Sequence, residues 1–141
     1  MKILHIPNFY PPSCGGIERT CKYIVDRLSE HENRVICFNN GDKTLNELID
    51  GILVIRVGVF KKVASQALSF SFFRILHDCI KEYQPDLIHF HYPNPFSAAV
   101  LLCYIPRHCR LVVHWHSDII EQKILYRLIK PIETYLLKRA D

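Results

Sequence analysis

The sequence predicts an α/β fold, a doubly wound, mostly parallel sheet with helices on both faces. Strand-like and helix-like segments alternate along the chain, and the strand-like runs are continuously apolar rather than alternating. Strands of that kind are buried on both faces, as happens when crossover helices cover a parallel sheet. The 141 residues suffice for one compact domain and are too few for two.

Lys2 to Pro7 (KILHIP) is a short apolar run that ends in a turn-forming cluster from Pro7 to Gly16, so it reads as a first strand and loop. Ile17, Cys21, Ile24, Val25 and Leu28 then recur at helical spacing, with Glu18, Lys22, Asp26 and Arg27 opposite, which predicts a helix opening at the double glycine. Arg34 to Phe38 is a second strand closed by Asn39 to Asp42. Ile52 to Val57 is a third, with Asp50 and Gly51 turning back to an extended piece over Leu45 to Ile49.

Phe60 to Ala64 reads as a loop and Ala67 to Tyr83 as a helix stopped before Pro85. Asp86 to His91 is a strand running into the turn Tyr92 to Pro95, and Phe96 to Tyr104 is a short apolar helix. Arg110 to Trp115 is the next strand. Beyond it an apolar ladder at Ile120, Ile124, Leu128, Ile132 and Leu136 predicts a helix that Pro131 kinks or splits.

Composition narrows the function classes. With 49% hydrophobic and 23% charged residues, the chain is neither a disordered tail, a collagenous repeat nor a simple coiled coil. A net charge of +4 suits a phosphate, an anionic ligand or an acidic membrane surface, and is weak for a nucleic-acid binder. Seven basic and four acidic residues fall between Arg107 and Asp141, so the excess gathers at that end. The six cysteines (Cys14, Cys21, Cys37, Cys79, Cys103, Cys109) lack C-x-x-C spacing and lie mostly in apolar runs, so they read as buried reduced thiols. Neither a signal segment nor a membrane span is readable, which points to a cytoplasmic protein able to touch a membrane from that side.

Ligands of doubly wound sheets collect beyond the carboxyl ends of the strands, and three polar clusters fall there: Ser13 to Arg19, His89 to Asn94 and His114 to Asp118. Gly15 and Gly16 would let a phosphate approach the backbone at a helix N-terminus, although a tight turn with positive φ explains a glycine pair equally. The spacing is neither a dinucleotide fingerprint, since Ile17 and Thr20 stand where glycines are needed, nor a Walker loop.

His114 and His116 share one side of a strand, with Trp115 on the other, and a histidine at a strand end can share a proton with a hydroxyl or steady developing charge. The ordinary alternative is a core imidazole with its hydrogen bonds made. His89 and His91 form a second H-x-H pair. Two such pairs raise a metal reading, and H-x-H-x-D resembles the start of the metallo-β-lactamase motif. That motif requires a ligand at position 119, which is Ile119, and no histidine follows His116. Lys123, Arg127 and Lys130, with Lys138 and Arg139, form a basic stripe that is either a solvated helix face or a contact with anionic lipid, with Lys61 and Lys62 as a second contact.

In order and spacing, KILHI, the proline and double-glycine loop before GIERTCKYIVDRL, DGILVIRV, PDLIHFHYPNP and VVHWHSDI resemble the N-terminal half of group 1 type retaining glycosyltransferases. These enzymes have the two-domain GT-B architecture, and the resemblance extends over essentially the whole chain. It implies a Rossmann-like lobe that chiefly binds the acceptor, a glycan or lipid-linked molecule, while an absent C-terminal domain binds most of a nucleotide-diphospho-sugar. The chain ends straight after a helix at Asp141 without a closing strand, consistent with a continuation, and alone it is expected to be inactive.

The resemblance implies that Gly15 and Gly16 lie beside the donor's phosphates and that His116 is the catalytic histidine contacting the transferred sugar. His91, Asn94 and Asp118 follow as acceptor or sugar contacts. No metal ligands and no cofactor are implied, and cell-surface polysaccharide synthesis is the expected setting. The alternatives are a stand-alone flavodoxin-like binding or regulatory module and a metal-dependent hydrolase using the H-x-H pairs.

Overall fold

The computed structural model describes residues 1–13, 15–63, 66–116 and 123–141. Cys14, Asp118 and Ile120 therefore lie outside the described residues. The elements are β1 (Lys2–Ile6), α1 (Gly16–Arg27), β2 (Glu32–Phe38), β3 (Leu45–Ile49), β4 (Ile52–Val57), β5 (Lys61–Val63), β6 (Gln66–Leu68), α2 (Phe70–Tyr83), β7 (Leu87–Tyr92), α3 (Pro95–Tyr104), β8 (Arg110–Trp115) and α4 (Lys123–Arg139).

Six strands form one sheet in the order β3-β4-β2-β1-β7-β8. Every pair is parallel except β3 with β4. That antiparallel pair turns at Asp50 (φ 50°) and Gly51 (φ 79°), and two successive left-handed residues match the twist of a two-residue hairpin. Strand order reverses beside β1, because the chain moves outward through β2 in one direction and through β7 in the other. At such a switch point the loops after the two central strands diverge and leave a crevice at their carboxyl ends.

Alternation along each strand sorts residues onto two faces. One face presents Leu4, Ile6, Ile36, Phe38, Ile88, Phe90 and Tyr92 to Phe72, Leu76 and Ile80 of α2, Ala98 and Leu101 of α3, and Leu136 of α4. The other presents Val35, Cys37 and Val54 to Cys21 and Val25 of α1, with Tyr10 from the loop after β1. Helices thus cover both faces, as the doubly wound pattern requires.

The structure departs from the sequence reading in three places. The segment read as a loop and the first turn of a helix is a hairpin in which β5 pairs antiparallel with β6, and α2 begins only at Phe70. Burial of Ala67 in the larger core explains its apolar character without a helix. Pro131 does not split the last helix, since α4 runs as one element through it. Four described cysteines are buried, but Cys103 is exposed and its thiol donates to the Ala99 carbonyl. All five described cysteines are free thiols.

Candidate active site

The loops at the carboxyl ends of the parallel strands are tied to one another. The Asn8 carbonyl, just past β1, accepts from the Phe38 amide at 2.9 Å, and Asn8 Nδ2 donates to the Pro93 carbonyl at 3.3 Å. Asn94 Nδ2 donates to Asn8 Oδ1 at 2.5 Å, while Asn94 Oδ1 caps α3 by accepting from the Ser97 amide at 3.0 Å. Asn40 Nδ2 reaches Ser13 Oγ at 3.3 Å. Arg56 completes the frame from β4: it is 6% exposed, pairs with Glu47 at 2.6 Å and donates to the carbonyls of Tyr10 and Pro11.

Neither glycine of the pair has positive φ; Gly15 is extended at φ −147° and forms the N-cap of α1. The tight-turn explanation for the pair therefore fails. At Gly15 the close neighbour is instead the Glu18 carboxylate: a Cβ there would stand 2.0 Å from Glu18 Oε2, so that side chain would have to turn aside. Glu18 is buried in the first turn, where a carboxylate complements the helix dipole. A Cβ on Gly16 would meet nothing within 4 Å, so space is open at the second glycine.

Five imidazoles occupy the α1-side face where β1, β7 and β8 meet. His5 sits opposite His89, and His91 opposite His114, in the strand registers. His116 follows the end of β8, where its amide donates to the Tyr92 carbonyl at 3.0 Å. The rings of His114 and His116 stack at 4.3 Å and 4°, and His91 stacks on His116 at 5.1 Å and 12°.

The hydrogen bonds set the tautomers at one end of this row. Asn33 Nδ2 donates to the carbonyls of Leu28 and His31, so Asn33 Oδ1 accepts from His5 Nε2 at 3.0 Å. His5 Nδ1 is then a lone pair, and His89 Nδ1, at 3.1 Å, must donate to it. At the other end, His91 Nδ1 and His116 Nε2 share a proton across 2.9 Å. His91 Nε2 is buried with no partner.

Burial, assisted by the neighbouring imidazoles, pushes His89 down to about 3 and His91 to about 2, so both are neutral at ordinary pH. His5 is lowered by burial against the opposing bond from Asn33. His116 is lowered by partial burial and then by His114. A neutral His116 is a poor base and a good hydrogen-bonding partner for a hydroxyl.

Of the residues expected from sequence, His91 and His116 are in direct contact, and Gly15, Gly16 and Asn94 share their sheet edge. The loop carrying the glycines leaves β1 and is tied through Ser13 to Asn40 beyond β2, while His116 follows β8, two strands from β1 in the sheet. Asn94 is only 1% exposed and engaged in capping α3 and bonding Asn8, so its side chain acts as a brace rather than an open contact. Asp118 lies outside the described residues. His5 and Arg56 went unremarked in the sequence; the two-residue period that puts Ile3 and His5 on one side of β1 was the available signal.

The basic stripe divides. Arg127, Lys130 and Lys138 are exposed, while Arg139 donates to the carbonyls of Pro106 and Cys109 and pins α4 to the loop before β8.

Comparison with known proteins shows which family the chain is similar to. The profile of Glycosyltransferase Family 4 matches residues 14–141. The chain is 29% identical to the O-antigen chain mannosyltransferase C of Escherichia coli, with all of this chain and 38% of that protein aligned. It is 26% identical to the D-rhamnosyltransferase WbpZ of Pseudomonas aeruginosa, covering 37% of that protein. The chain thus spans under two-fifths of the length of these relatives. Sucrose-phosphate synthase from Thermosynechococcus elongatus shares the fold with a TM-score of 0.60 at 14% identity, over 99% of this chain and 41% of that one.

Proposed function

Because the chain belongs to Glycosyltransferase Family 4, we propose that it forms the acceptor-side wall of a cleft in which a sugar passes from a nucleotide-diphospho-sugar to a glycan or lipid-linked acceptor. The transfer proceeds with retention, and the rest of the donor is held by a second domain of the longer protein. The setting is polysaccharide synthesis, in keeping with relatives that are an O-antigen mannosyltransferase and a rhamnosyltransferase.

The observation that carries this reading is the meeting of His116 and His91 at the sheet edge that also holds the open glycine loop. When His91 Nδ1 donates to His116 Nε2, the proton of His116 resides on Nδ1 and is available to a hydroxyl of the transferred sugar. A neutral imidazole there orders the sugar through that hydrogen bond without competing as a base. Gly16 and the amides of the first turn of α1 receive the diphosphate edge, while the Glu18 carboxylate beside Gly15 confines that charge to the Gly16 side. No metal ion takes part in the transfer step in this reading.

Among the described residues no helix is long and apolar enough to cross a membrane, and the exposed Arg127, Lys130 and Lys138 offer a peripheral contact to anionic lipid.

The test uses the longer protein in which this chain is joined to a donor-binding domain. His116→Ala is expected to lower kcat by roughly 100-fold or more with the melting temperature unchanged. Turnover equal to the parent's would remove His116 from the mechanism, and a His108→Ala control at an exposed position should be silent.

A further inference from the structure

The imidazole row holds more than the transfer reading uses. His89, His91 and His114 place one ligand atom each within 4.8 Å of one another, with ring centroids 4.3, 5.3 and 5.6 Å apart. The sequence argument against a metal looked for a further ligand after His116 and found Ile119. The fold supplies the set differently, from two adjacent strands whose register puts His91 directly opposite His114 and His89 one side-chain repeat earlier on β7.

We propose that His89, His91 and His114 form a three-imidazole site for one divalent transition-metal ion of the zinc class, on the α1-side face of β7 and β8. The hydrogen-bond network prepares it. Asn33 directs the proton of His5 to Nε2, His5 accepts from His89 Nδ1, and His89 Nε2 is left as a lone pair. His91 engages His116 through Nδ1, so its Nε2 is the nitrogen that would bind, and this is the buried atom without a partner. His91 is 0% exposed, and a polar atom buried alone costs free energy that an ion would recover.

His5 and His116 thereby play the part of outer partners, orienting the liganding rings through their second nitrogens. Bonds of about 2.0–2.1 Å in a tetrahedral site bring ligand nitrogens to roughly 3.4 Å, so closing the set requires His114 to rotate out of its 16° stack on His91. His114, half-buried on the edge strand, is the ligand next to solvent and leaves a fourth position for water. The neighbouring group His5, Cys21 and His91 is less suited. Both nitrogens of His5 are already bonded, and burial raises the Cys21 thiol so that it stays protonated.

The experiment is a titration of the purified protein with Co²⁺ and Zn²⁺, in a Cys103→Ser background that removes the one thiol exposed among the described residues. The expected result is one ion per chain, visible cobalt bands of tetrahedral intensity, and chemical-shift changes at the three ligand histidines. His91→Gln and His89→Gln should each weaken binding by roughly 100-fold or more, and His116→Gln by about 10-fold through lost orientation. His114→Gln, at the half-buried edge, gives the same loss with the least disturbance to the core and guards against unfolding in the other two. His77→Gln, exposed on α2, should have no effect. Less than one equivalent bound at about 100 μM ion, or affinity unchanged by His114→Gln in a folded protein, overturns the site; binding removed by His77→Gln does so as well. Neither result bears on sugar transfer, which is read separately from turnover.

Discussion

The two faces of β7 were built from one six-residue strand, yet they do opposite work. Ile88, Phe90 and Tyr92 point into the apolar layer beneath α2, α3 and α4, where apolar packing dominates and the Tyr92 hydroxyl donates to the buried Glu133 carboxylate. His89 and His91, on the other face, join imidazoles from β1 and β8 in a buried row of hydrogen bonds and ring contacts, with Cys21 of α1 beside His5 and His91. Both faces are covered, but the α1-side face buries polar groups that must satisfy one another, beside the switch point.

The largest effect expected from that contrast is on the packed side. Leu76→Ala, fully buried in the larger core, should cost about 3–5 kcal/mol in urea unfolding, whereas Val112→Ala, 37% exposed on the imidazole face, should cost under about 1 kcal/mol. Equal losses would mean that the two faces are packed alike. Arg56→Met comes next: it frees the carbonyls of Tyr10 and Pro11 and strips Glu47 of its partner, for a loss of roughly 2–3 kcal/mol by the same measurement.

Acidity probes the imidazole face alone. In the unfolded chain histidines protonate near pH 6.5, while His89 and His91 in the fold hold out to about 3 and about 2. Below about pH 6.5 the unfolded state binds more protons, so this contribution is complete above that pH and is lost progressively as pH falls, at up to about 1.4 kcal/mol per unit for each histidine. Urea midpoints should drop between pH 7.5 and pH 5, and His89→Gln should flatten the drop. A midpoint flat over that range would contradict neutral burial.

Gly16→Ala gives the smallest expected change in stability and separates fold from function. With open space around a Cβ and no positive φ, alanine at the start of α1 should stabilise by about 0.5–1 kcal/mol. In the longer protein the same methyl would occupy the space assigned to the donor's phosphates, so KM for the donor should rise. A stabilised variant with unchanged KM would take Gly16 out of the site.

The alternation of β and α segments was readable because each strand is an unbroken apolar run and each helix carries a 3.6-residue stripe. The β5 and β6 hairpin was not, since three-residue strands carry no period and Ala67 and Leu68 fit the stripe of the helix that follows. The two H-x-H pairs were legible as strand-end chemistry. What joins them was hidden, because the partners are far apart in the chain: His5 is bonded to residues 28 and 84 positions away, and Arg56 to a carbonyl 46 positions away. The second role of Gly15 was equally invisible, since only the folded loop brings the Glu18 carboxylate against it.

The measurement that reaches the centre of this account is a pH titration of the histidine side chains by long-range ¹⁵N–¹H NMR, which reports charge and tautomer for each ring. His89 and His91 should remain neutral from pH 7.5 to pH 4.5, both with the proton on Nδ1. Protonation of His89 or His91 within that range, with mixed tautomers, would contradict the hydrogen-bonded row on which the site is built.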